Sequence, residues 1–377
     1  MRIRISVSEL SRAMNILISV APKKTTMPIL SNVSLVATKD SRLILTATDL
    51  DVGIRLTKEC EVLEEGSSSV SAKSLHDIVK MLPGPTVSIE ALDNHHVSIK
   101  SGRTSARLLA LPQSDFPRVD FDSDQKMSFA DIEADIFVSM VQKTIYSASL
   151  DDERYNITGV YFEPQSDDEN SLVMVSTDGH RLSKIKEKFP TGNFGKFSPL
   201  TFPKKGLSEL IKLWDGVPDK KEKIFKIGLS QRHAVFSFDN SSLFMRLIDK
   251  EFPAYSQVIP KLTDKIMRTS RQDFLLGLRR VSALALEKGQ IVQMSSTAGE
   301  LTLSCQNPEA GEVTDDIAVE YNGPDIKIGL NPKYVIDALS SINDNNILIK
   351  FTDALSPILI TGIKEDNHQC VIMPMRI

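Results

Sequence analysis

The sequence predicts an α+β chain of three similar domains, each with two helices packed on antiparallel sheets. The first observation behind this prediction is an internal repeat: Thr48-Asp49 returns as Thr177-Asp178, and Asp115-Phe116-Pro117 returns as Glu251-Phe252-Pro253. The offset of about 130 residues is far longer than a solenoid repeat, so each copy is expected to be a whole domain with its own core. We place the domains at residues 1–126, 127–260 and 261–377.

The second observation is an apolar pattern at helical spacing that recurs in each third of the chain. Its three copies are Leu75, Ile78, Val79 and Leu82; Leu207, Leu210, Ile211 and Trp214; and Val335, Ala338, Leu339 and Ile342. Thirds that share their markers in one order are expected to share one fold.

The first third is predicted to run strand, helix, strands, helix, strands. Met1–Val7 alternates apolar and polar residues as a strand does. A helix follows over Ser8–Ala21, opened by a Ser8 cap, and a second helix covers Lys73–Leu82 and stops at Pro83-Gly84. The other strands are predicted at Asn32–Thr38, Arg42–Thr48, Val52–Glu59, Thr86–Ala91, His96–Ser101 and Ser105–Leu111.

The second and third domains are predicted to repeat this plan. Polar, turn-rich linkers are expected at Asp120–Lys126 and around Pro260-Lys261, and an exposed hairpin loop at Gln165–Asn170. The predicted helices are Asp131–Ser149, Lys204–Trp214, Arg271–Leu286 and Pro332–Ile342.

Composition is typical of a soluble, cytoplasmic protein. The chain is 41% hydrophobic and 25% charged, and it has no apolar run near the roughly 20 residues that span a bilayer. No signal peptide is indicated at the start. The three cysteines, Cys60, Cys305 and Cys370, are widely spaced and without a CxxC pair. We therefore expect reduced, small core residues, with no disulfide framework and no zinc site.

A catalytic site is not expected, although one segment offers the chemistry. Ser176-Thr177-Asp178-Gly179-His180-Arg181 holds a carboxylate, an imidazole and a guanidinium. Adjacency in sequence is weak support for an acid–base pair, and a Thr-Asp-Gly stretch is also an ordinary turn in which the Asp side chain caps its own backbone. Thr48-Asp49-Leu50-Asp51 is likewise interpreted as a strand end and turn rather than a cation site. No phosphate-binding loop matches, so no cofactor is expected.

Charge is distributed unevenly. The whole chain carries −4, which argues against a generally basic surface, yet the predicted helices together are positive. Their cations could form one electropositive face, or they could be the ordinary solvated charges of helix surfaces. The candidates are Lys73, Lys80, Lys143, Lys204, Lys205, Lys212, Arg279, Arg280 and Lys333.

The triplication and several short segments resemble one known family, the bacterial DNA polymerase III beta subunits, or sliding clamps. The resemblance runs from end to end, and its most specific parts are Ser176–Leu182 and the terminus Val371–Ile377. Met27–Leu30, Thr46–Leu50 and Asn307-Pro308-Glu309 add to it. It implies the DNA clamp fold and a head-to-tail homodimer whose six domains form a ring around duplex DNA.

The implied function is that of a non-catalytic processivity factor in the bacterial cytoplasm, associated with the nucleoid. The ring would hold DNA without reading its sequence, since about 30 Å of open space admits a duplex of about 20 Å. The implied partners are the DNA polymerase III alpha subunit, an ATP-driven clamp loader, and other polymerases and repair proteins with clamp-binding peptides.

The resemblance also implies a pocket for those partner peptides, with apolar, Met-rich walls that repack easily. The matching residues are Arg154, Ile157, Thr177, Gly179, His180, Arg181, Leu182, Pro253, Val258, Tyr334, Leu355, Val371, Ile372, Met373, Pro374, Met375 and Arg376. Asn156 and Gln257 depart from the Tyr and Arg that the family often has at the rim.

For the joint of the ring, the resemblance implies that Ala106 and Leu108 on a first-domain strand meet Ala283 and Leu284 on a third-domain helix of the other subunit. Ala106 replaces what is often a large aromatic residue. For DNA, Lys24 matches a basic residue that can reach the duplex, whereas Asp151 replaces an amide. Two other functions stay open from the residues alone: a scaffold with the same triplicated fold, and an enzyme that uses Asp178 and His180.

Overall fold

The computed structural model describes residues 1–119, 121, 127–165, 171–188, 198–217, 223–261, 263–284 and 291–377. Contacts group the chain into two compact units. The described residues of Met1–Asp135 and Lys205–Leu247 belong to unit 1, and those of Ile136–Gly192, Lys196–Lys204 and Ile248–Ile377 belong to unit 2. The domain boundaries after residues 126 and 260 stay predictions, and most of the expected linker Asp120–Lys126 and loop Gln165–Asn170 lies outside the described residues.

All six predicted helices are present, with ends that differ by several residues in places. They are α1 Val7–Leu17, α2 Ala72–Val79, α3 Ala134–Thr144, α4 Lys204–Asp215, α5 Arg271–Val281 and α6 Pro332–Ser341. Across the described ranges, no helix combines the length and apolar character that crossing a membrane requires.

Runs of several strands separate these helices along the chain. Their bounds are β1 Arg2–Ser6, β2 Asn32–Thr38, β3 Arg42–Thr48, β4 Val52–Glu59, β5 Glu61–Glu64, β6 Gly66–Ser71, β7 Thr86–Leu92, β8 His96–Ser101, β9 Thr104–Leu111, β10 Ser128–Glu133, β11 Gly159–Pro164, β12 Ser171–Thr177, β13 Arg181–Lys188, β14 Leu200–Pro203, β15 Ile224–Leu229, β16 His233–Phe238, β17 Ser241–Arg246, β18 Lys265–Ser270, β19 Val292–Thr297, β20 Glu300–Asn307, β21 Gly311–Ala318, β22 Ile326–Leu330, β23 Asn346–Phe351, β24 Ile358–Gly362 and β25 His368–Ile372.

Unit 1 is built on one antiparallel sheet in the order β10-β15-β16-β17-β4-β3-β2-β6-β9-β8-β7-β1-β5. Helices α1 and α2 pack together and bury their apolar faces, which centre on Leu10, Met14 and Leu75. Helix α4 buries Trp214, whose ring meets Phe225 edge-on at 4.9 Å between centroids. Burial of such large side chains is the main stabilisation of this unit.

Unit 2 contains two antiparallel sheets, β14-β11-β12-β13-β25-β24-β23-β18 and β21-β20-β19-β22. Helices α5 and α6 cover them through one core that includes Phe274, Leu278, Val335 and Leu339. The opposite face of the eight-stranded sheet carries a second apolar cluster around Leu182 and Val371. That second cluster places the candidate site described below.

Several predicted helix ends are wrong, each for a local reason. Helix α1 begins at Val7, and the Ser8 hydroxyl meets that of Ser6 at 2.9 Å instead of capping the backbone. Helix α3 begins only at Ala134, because Asp131 pairs with Lys226 in the ladder between β10 and β15. At its other end, Thr144 donates its hydroxyl to the Met140 carbonyl at 2.9 Å as the helix stops.

Two strands and one cysteine were not predicted correctly. Strands β5 and β6 lie in a Glu-, Gly- and Ser-rich stretch that is typical of turns, and β6 becomes a strand through its pairing with β2. All three cysteines are free thiols; Cys305 and Cys370 are buried as expected, but Cys60 is only half-buried. Burial raises the pKa of the Cys60 and Cys305 thiols.

Candidate functional site

A hydrogen-bonded turn joins β12 to β13 and forms one wall of the site. The Asp178 carboxylate accepts the backbone N–H groups of His180 and Arg181, both at 3.0 Å. The Thr177 hydroxyl donates to the Arg181 carbonyl at 2.6 Å and accepts from the Gly179 N–H at 3.1 Å. Gly179 has φ +88°, a conformation that glycine adopts without strain. The predicted turn, with its Asp cap, is confirmed.

Arg181 fixes this turn to the interior of unit 2. Its guanidinium is buried and lies 3.0 Å from Asp178 and 2.6 Å from Asp337 on α6. It also donates to the Tyr146 carbonyl at 2.9 Å and stacks over the Tyr334 ring at 4.6 Å. Burial lowers the pKa of Arg181, but the hydrogen bond to Asp337 and the two carboxylate charges outweigh it and raise that pKa. The cation is therefore permanent and positions the turn.

The geometry does not favour the alternative that Asp178 and His180 form an acid–base pair. Asp178 accepts the backbone N–H of His180, and its second oxygen is held by Arg181. The exposed His180 ring stacks on Tyr334 with centroids 6.4 Å apart. Among the described residues, no group of three potential metal ligands comes together.

Beside the turn is an apolar pocket with a cavity volume of about 170 Å³. Its floor is the second apolar cluster of unit 2, in which Leu182 on β13 and Val371 on β25 are cross-strand neighbours. Ile157 closes one side from a short 3₁₀ turn, Asp152–Ile157. The lining residues are Ile157, Thr177, Gly179, Arg181, Leu182, Pro253, Ala254, Tyr255, Val258, Val371 and Met373.

Two of these lining residues, Ala254 and Tyr255, were not predicted. The Tyr255 hydroxyl donates to the Glu163 carboxylate on β11. The pKa of Tyr255 is strongly raised, mainly by burial and in addition by this hydrogen bond. Tyr161 lies beside it and stacks on Phe252 with centroids 4.8 Å apart. The sequence signal was present, since Tyr255 lies two residues after Pro253 in Phe252-Pro253-Ala254-Tyr255, but its partner Glu163 is distant in sequence.

Three more predicted residues lie around the lining. Arg154 donates to the Asp178 carbonyl at 3.0 Å. His180 and Tyr334 stack together, and the His180 carbonyl accepts the Met373 N–H at 2.9 Å. These contacts tie the chain's C-terminal segment to the turn.

The remaining predicted pocket residues lie elsewhere. The prediction that Ile372 lines the pocket is wrong. Ile372 follows Val371 on the strand, so its side chain points to the opposite sheet face and is buried in the main core. Met375 pairs with Gly329 through its N–H at 2.8 Å. Leu355 is an exposed loop residue. Pro374 and Arg376 lie beyond Met373 and, like Leu355 and Met375, outside the described lining.

The residues that depart from the family pattern have local partners. Asn156 reaches the Glu251 carbonyl at 3.5 Å. Asp151 accepts the Glu153 N–H at 3.1 Å and lies 3.8 Å from the Arg154 guanidinium. Gln257 is exposed at the end of the turn Tyr255–Gln257.

The candidate DNA-binding cations of unit 1 fall into two groups. Lys24, Lys73 and Lys80 are exposed and have no ion pair with another described residue. Lys205 is paired with Asp49, and Lys212 lies 2.7 Å from Glu209. An ion-paired lysine attracts a phosphate less strongly than an unpaired one, because the carboxylate partner balances its charge.

In unit 2 the corresponding candidates are mostly engaged. The prediction of Lys143 as an exposed cation is wrong, because its side chain is buried and lies 3.5 Å from Glu365. Lys204 donates to the Ala148 carbonyl at 2.8 Å, and burial, then the charge of Arg181, lowers its pKa. Arg280 makes two bonds to Asp315, at 3.2 and 2.6 Å, whereas Arg279 is exposed.

The predicted joint residues lie at element edges. Ala106 and Leu108, both half-buried, are on β9, which pairs with β8 on one side over this stretch. Ala283 and Leu284 are not on the predicted helix, because α5 ends at Val281 and a 3₁₀ turn over Ser282–Leu284 follows. The rest of the predicted helix end, Leu286 included, lies outside the described residues.

Comparison with known proteins gives one consistent result. Models of the N-terminal, central and C-terminal domains of the DNA polymerase III beta subunit match residues 1–120, 131–254 and 256–376. A beta sliding clamp of Caulobacter vibrioides is 30% identical over 380 residues, which is 100% of both chains. A beta sliding clamp of Vibrio cholerae is 30% identical and covers 94% of each chain.

Solved structures agree with this result. A sliding clamp from Bartonella birtlesii bound to griselimycin matches with a TM-score of 0.93 and 30% identity over 100% of both chains. A DNA polymerase sliding clamp from Pseudomonas aeruginosa with a ligand matches with a TM-score of 0.89 and 29% identity, again over 100% of both chains.

Proposed function

Because the chain belongs to the family of bacterial DNA polymerase III beta subunits, the sliding clamps, we propose that it closes around duplex DNA as a head-to-tail homodimer and tethers partner proteins through the pocket of unit 2. The observation that carries the tethering is the apolar pocket beside the Thr177–Arg181 turn. The partners we propose are the polymerase III alpha subunit, the clamp loader, and other polymerases and repair proteins in the bacterial cytoplasm, at the nucleoid. The ring acts by topology and position, without a catalytic step.

The pocket suits short apolar anchors. Its volume of about 170 Å³ is close to the ~150 Å³ cavity that takes up benzene, so it accommodates one or two apolar side chains and leaves the rest of a peptide on the surface. Met373 and Val258 are partly exposed at its mouth, where they can adapt to different anchors. The Arg181 network keeps the opposite wall in place.

DNA contact is proposed for the predicted cations that are exposed and lack a described ion partner: Lys24, Lys73, Lys80, Arg279 and Lys333. Lys205, Lys212 and Arg280 would contribute little, because a carboxylate already balances the charge of each. Scattered cations of this kind give weak, salt-sensitive and sequence-independent binding, which permits sliding.

Ring closure is proposed at two sheet edges. In β9, the stretch that holds Ala106 and Leu108 has β8 as its ladder partner, and β21 ends the four-stranded sheet. An unpaired strand edge is a ready template for pairing with another chain. We propose that β9 of one subunit meets the third domain of the other, near β21 and the Ala283-Leu284 turn, within domains at 1–126, 127–260 and 261–377.

The pocket is tested by removing the last five residues. β25 ends at Ile372, so this deletion takes Met373 and its bond to His180 while the strand stays. A fluorescent peptide with spaced apolar side chains after a glutamine should bind the full chain with micromolar affinity, about −8 kcal/mol, and the truncated chain at least thirtyfold more weakly. Equal binding to both proteins would place the peptide site elsewhere.

The ring is tested by sedimentation and by DNA retention. Leu108→Asp puts a carboxylate into the proposed joint and should convert dimer to monomer at micromolar concentration, since desolvating that charge costs a few kcal/mol. Arg107→Glu, on the opposite face of the same strand, is the control. The loaded wild-type protein should stay on circular DNA and slide off after linearisation; similar retention on both would exclude a topological link.

A further inference from the structure

A row of lysines continues from the floor of the pocket along strand β13. Leu182 lines the pocket, and because side chains on a strand alternate between faces, Lys184, Lys186 and Lys188 lie on the same face as Leu182. Neighbouring lysines in the row are separated by about 7 Å, twice the rise per residue. Lys184 is half-buried, and the other two are exposed.

The row borders a groove that shares two strands with the pocket. Val371 is opposite Leu182, and two residues further along, Gln369 is opposite Lys184. The groove has a volume of about 660 Å³ and is lined by all three lysines and by Gln369. Apolar pocket and basic groove are therefore successive stretches of one sheet face.

The three lysines outnumber the carboxylates in the lining of the groove by one. Two carboxylates also line it, Asp366 and Glu187, and Glu187 accepts the Asn367 side-chain amide at 2.8 Å. Within the described part of the chain, none of the three lysines forms an ion pair. Burial lowers the pKa of Lys184; Glu163 opposes this effect, and the like charge of Lys186 adds to it. An added anion would relieve the crowding of these cations.

A second group in the groove also lacks a partner. The side-chain oxygen of Gln369 is buried and accepts no hydrogen bond from any described residue. A buried acceptor without a donor is costly, and rotation of the Gln369 side chain toward the groove would let the backbone N–H of a bound peptide satisfy this oxygen.

We propose that partner peptides carry a short acidic segment beside their apolar anchor, and that this segment lies extended along Lys184, Lys186 and Lys188. The inference rests on the pocket's proposed role. Its support is the continuity of groove and pocket, the complementary charge, and the spacing: acidic side chains at every second position of an extended peptide repeat at the same distance of about 7 Å as the lysines.

The test compares labelled peptides on the full-length protein by fluorescence polarisation. The first peptide is the apolar anchor alone; the second and third add three glutamates at alternate positions after or before the anchor; the fourth and fifth have glutamines in those places. One of the two acidic peptides should bind about fivefold more tightly than its glutamine match at low salt, and most of this gain should vanish in about 0.3 M salt.

Substitutions assign the gain to the groove. It should be lost in Lys184→Gln/Lys186→Gln and reduced in Lys186→Gln alone, which changes an exposed side chain and leaves the core intact. Lys327→Gln, an exposed lysine of the four-stranded sheet, is the matched control and should retain the full gain. The anchor alone should bind all of these proteins equally.

Two failures are distinguishable. If the anchor peptide does not bind, the proposed pocket fails and the inference fails with it. If the anchor binds but acidic segments add nothing, or their gain survives in Lys184→Gln/Lys186→Gln, only the inference is overturned. The inference is also overturned if Lys184→Gln/Lys186→Gln weakens binding of a short DNA duplex but does not weaken binding of the acidic peptides.

Discussion

Two turns of the same design occur at repeat-related places, Thr48–Val52 in unit 1 and Thr177–Arg181 in unit 2. In each, the Asp carboxylate accepts two backbone N–H groups, at 3.0 and 2.7 Å in the first and at 3.0 Å twice in the second. In each, the Thr hydroxyl donates to the last carbonyl of the turn, at 2.9 and 2.6 Å. The hydrogen bonds of the turn are therefore structural and do not themselves make a binding site.

What differs is the side chains that the turn carries. The residue with positive φ is Leu50 in the first turn, at +81°, and Gly179 in the second, at +88°. The last residue is Val52 in the first and the buried Arg181 in the second. The absence of a side chain at Gly179 opens space beside the pocket, and Arg181 anchors the wall. The two turns therefore share one backbone design and differ in the side chains at two positions.

The largest expected difference between the turns comes from removing the Asp side chain. Asp178→Ala leaves two backbone N–H donors without their acceptor and removes one carboxylate partner of the buried Arg181 guanidinium, so it should lower the local stability of β13 by about 3 kcal/mol. Asp49→Ala likewise leaves two backbone N–H donors without their acceptor, but otherwise removes only an ion pair to the half-exposed Lys205, and should cost β4 about 1 kcal/mol.

Amide hydrogen exchange can measure the two strands separately in one protein. Asp178→Asn is the control, because its side-chain oxygen can still accept the backbone N–H groups while the charge is lost. The loss of stability in β13 should be intermediate. Equal losses in β4 and β13 would mean that the Arg181 network adds nothing to the shared turn.

The second-largest effect is expected on peptide binding, when the two residues with positive φ are exchanged as Gly179→Leu and Leu50→Gly. A side chain at Gly179 would start 2.9 Å from the Arg154 guanidinium, in a left-handed backbone conformation. Gly179→Leu should therefore weaken binding of the apolar peptide at least tenfold and cost about 1 kcal/mol of strain. Leu50→Gly should change stability by less than about 0.5 kcal/mol, since relief of strain offsets the added chain entropy.

Peptide titration of both variants provides the measurement, with Gly179→Ala to separate strain from bulk. If Gly179→Leu binds the peptide with wild-type affinity, Gly179 is needed only for the backbone conformation of the turn and not for peptide binding.

The sequence predicted the turns that the two units share better than it predicted the side-chain contacts around them. The Thr-Asp pattern predicted both turns, because their hydrogen bonds are local. It could not show that Lys143 would be buried against Glu365, since that contact joins residues far apart in the chain. Tyr255 was missed for the same reason, through its bond to Glu163.

Strand register decides which residues of β25 face the pocket. Val371 and Ile372 are adjacent, apolar and both buried, so composition does not separate them. Register does: Val371 is opposite Leu182 and faces the pocket, whereas Ile372 faces the helices. The predicted helix over Asp131–Ser149 begins too early, because a ladder with β15 holds Asp131 and Glu133 in a strand.

The smallest expected effect concerns the cation attached to the first turn. Lys205 is paired with Asp49, so the Asp49 carboxylate already balances its charge and weakens its attraction to a DNA phosphate. Lys205→Gln should thus weaken DNA binding less than twofold and leave the slope of log affinity against log salt unchanged. Lys73→Gln removes an exposed cation with no ion pair among the described residues, and should reduce that slope by about 0.9, the value for one phosphate contact.

Asp49→Asn sharpens this test, because it releases Lys205 while the side chain can still accept one backbone N–H of the turn. The released lysine should increase the salt slope by about 0.9, and adding Lys205→Gln to Asp49→Asn should cancel the increase. The measurement is affinity for a duplex at several salt concentrations. If Lys205→Gln alone lowers the slope as much as Lys73→Gln does, Asp49 does not restrain this lysine, and the first turn influences DNA binding no more than any exposed loop.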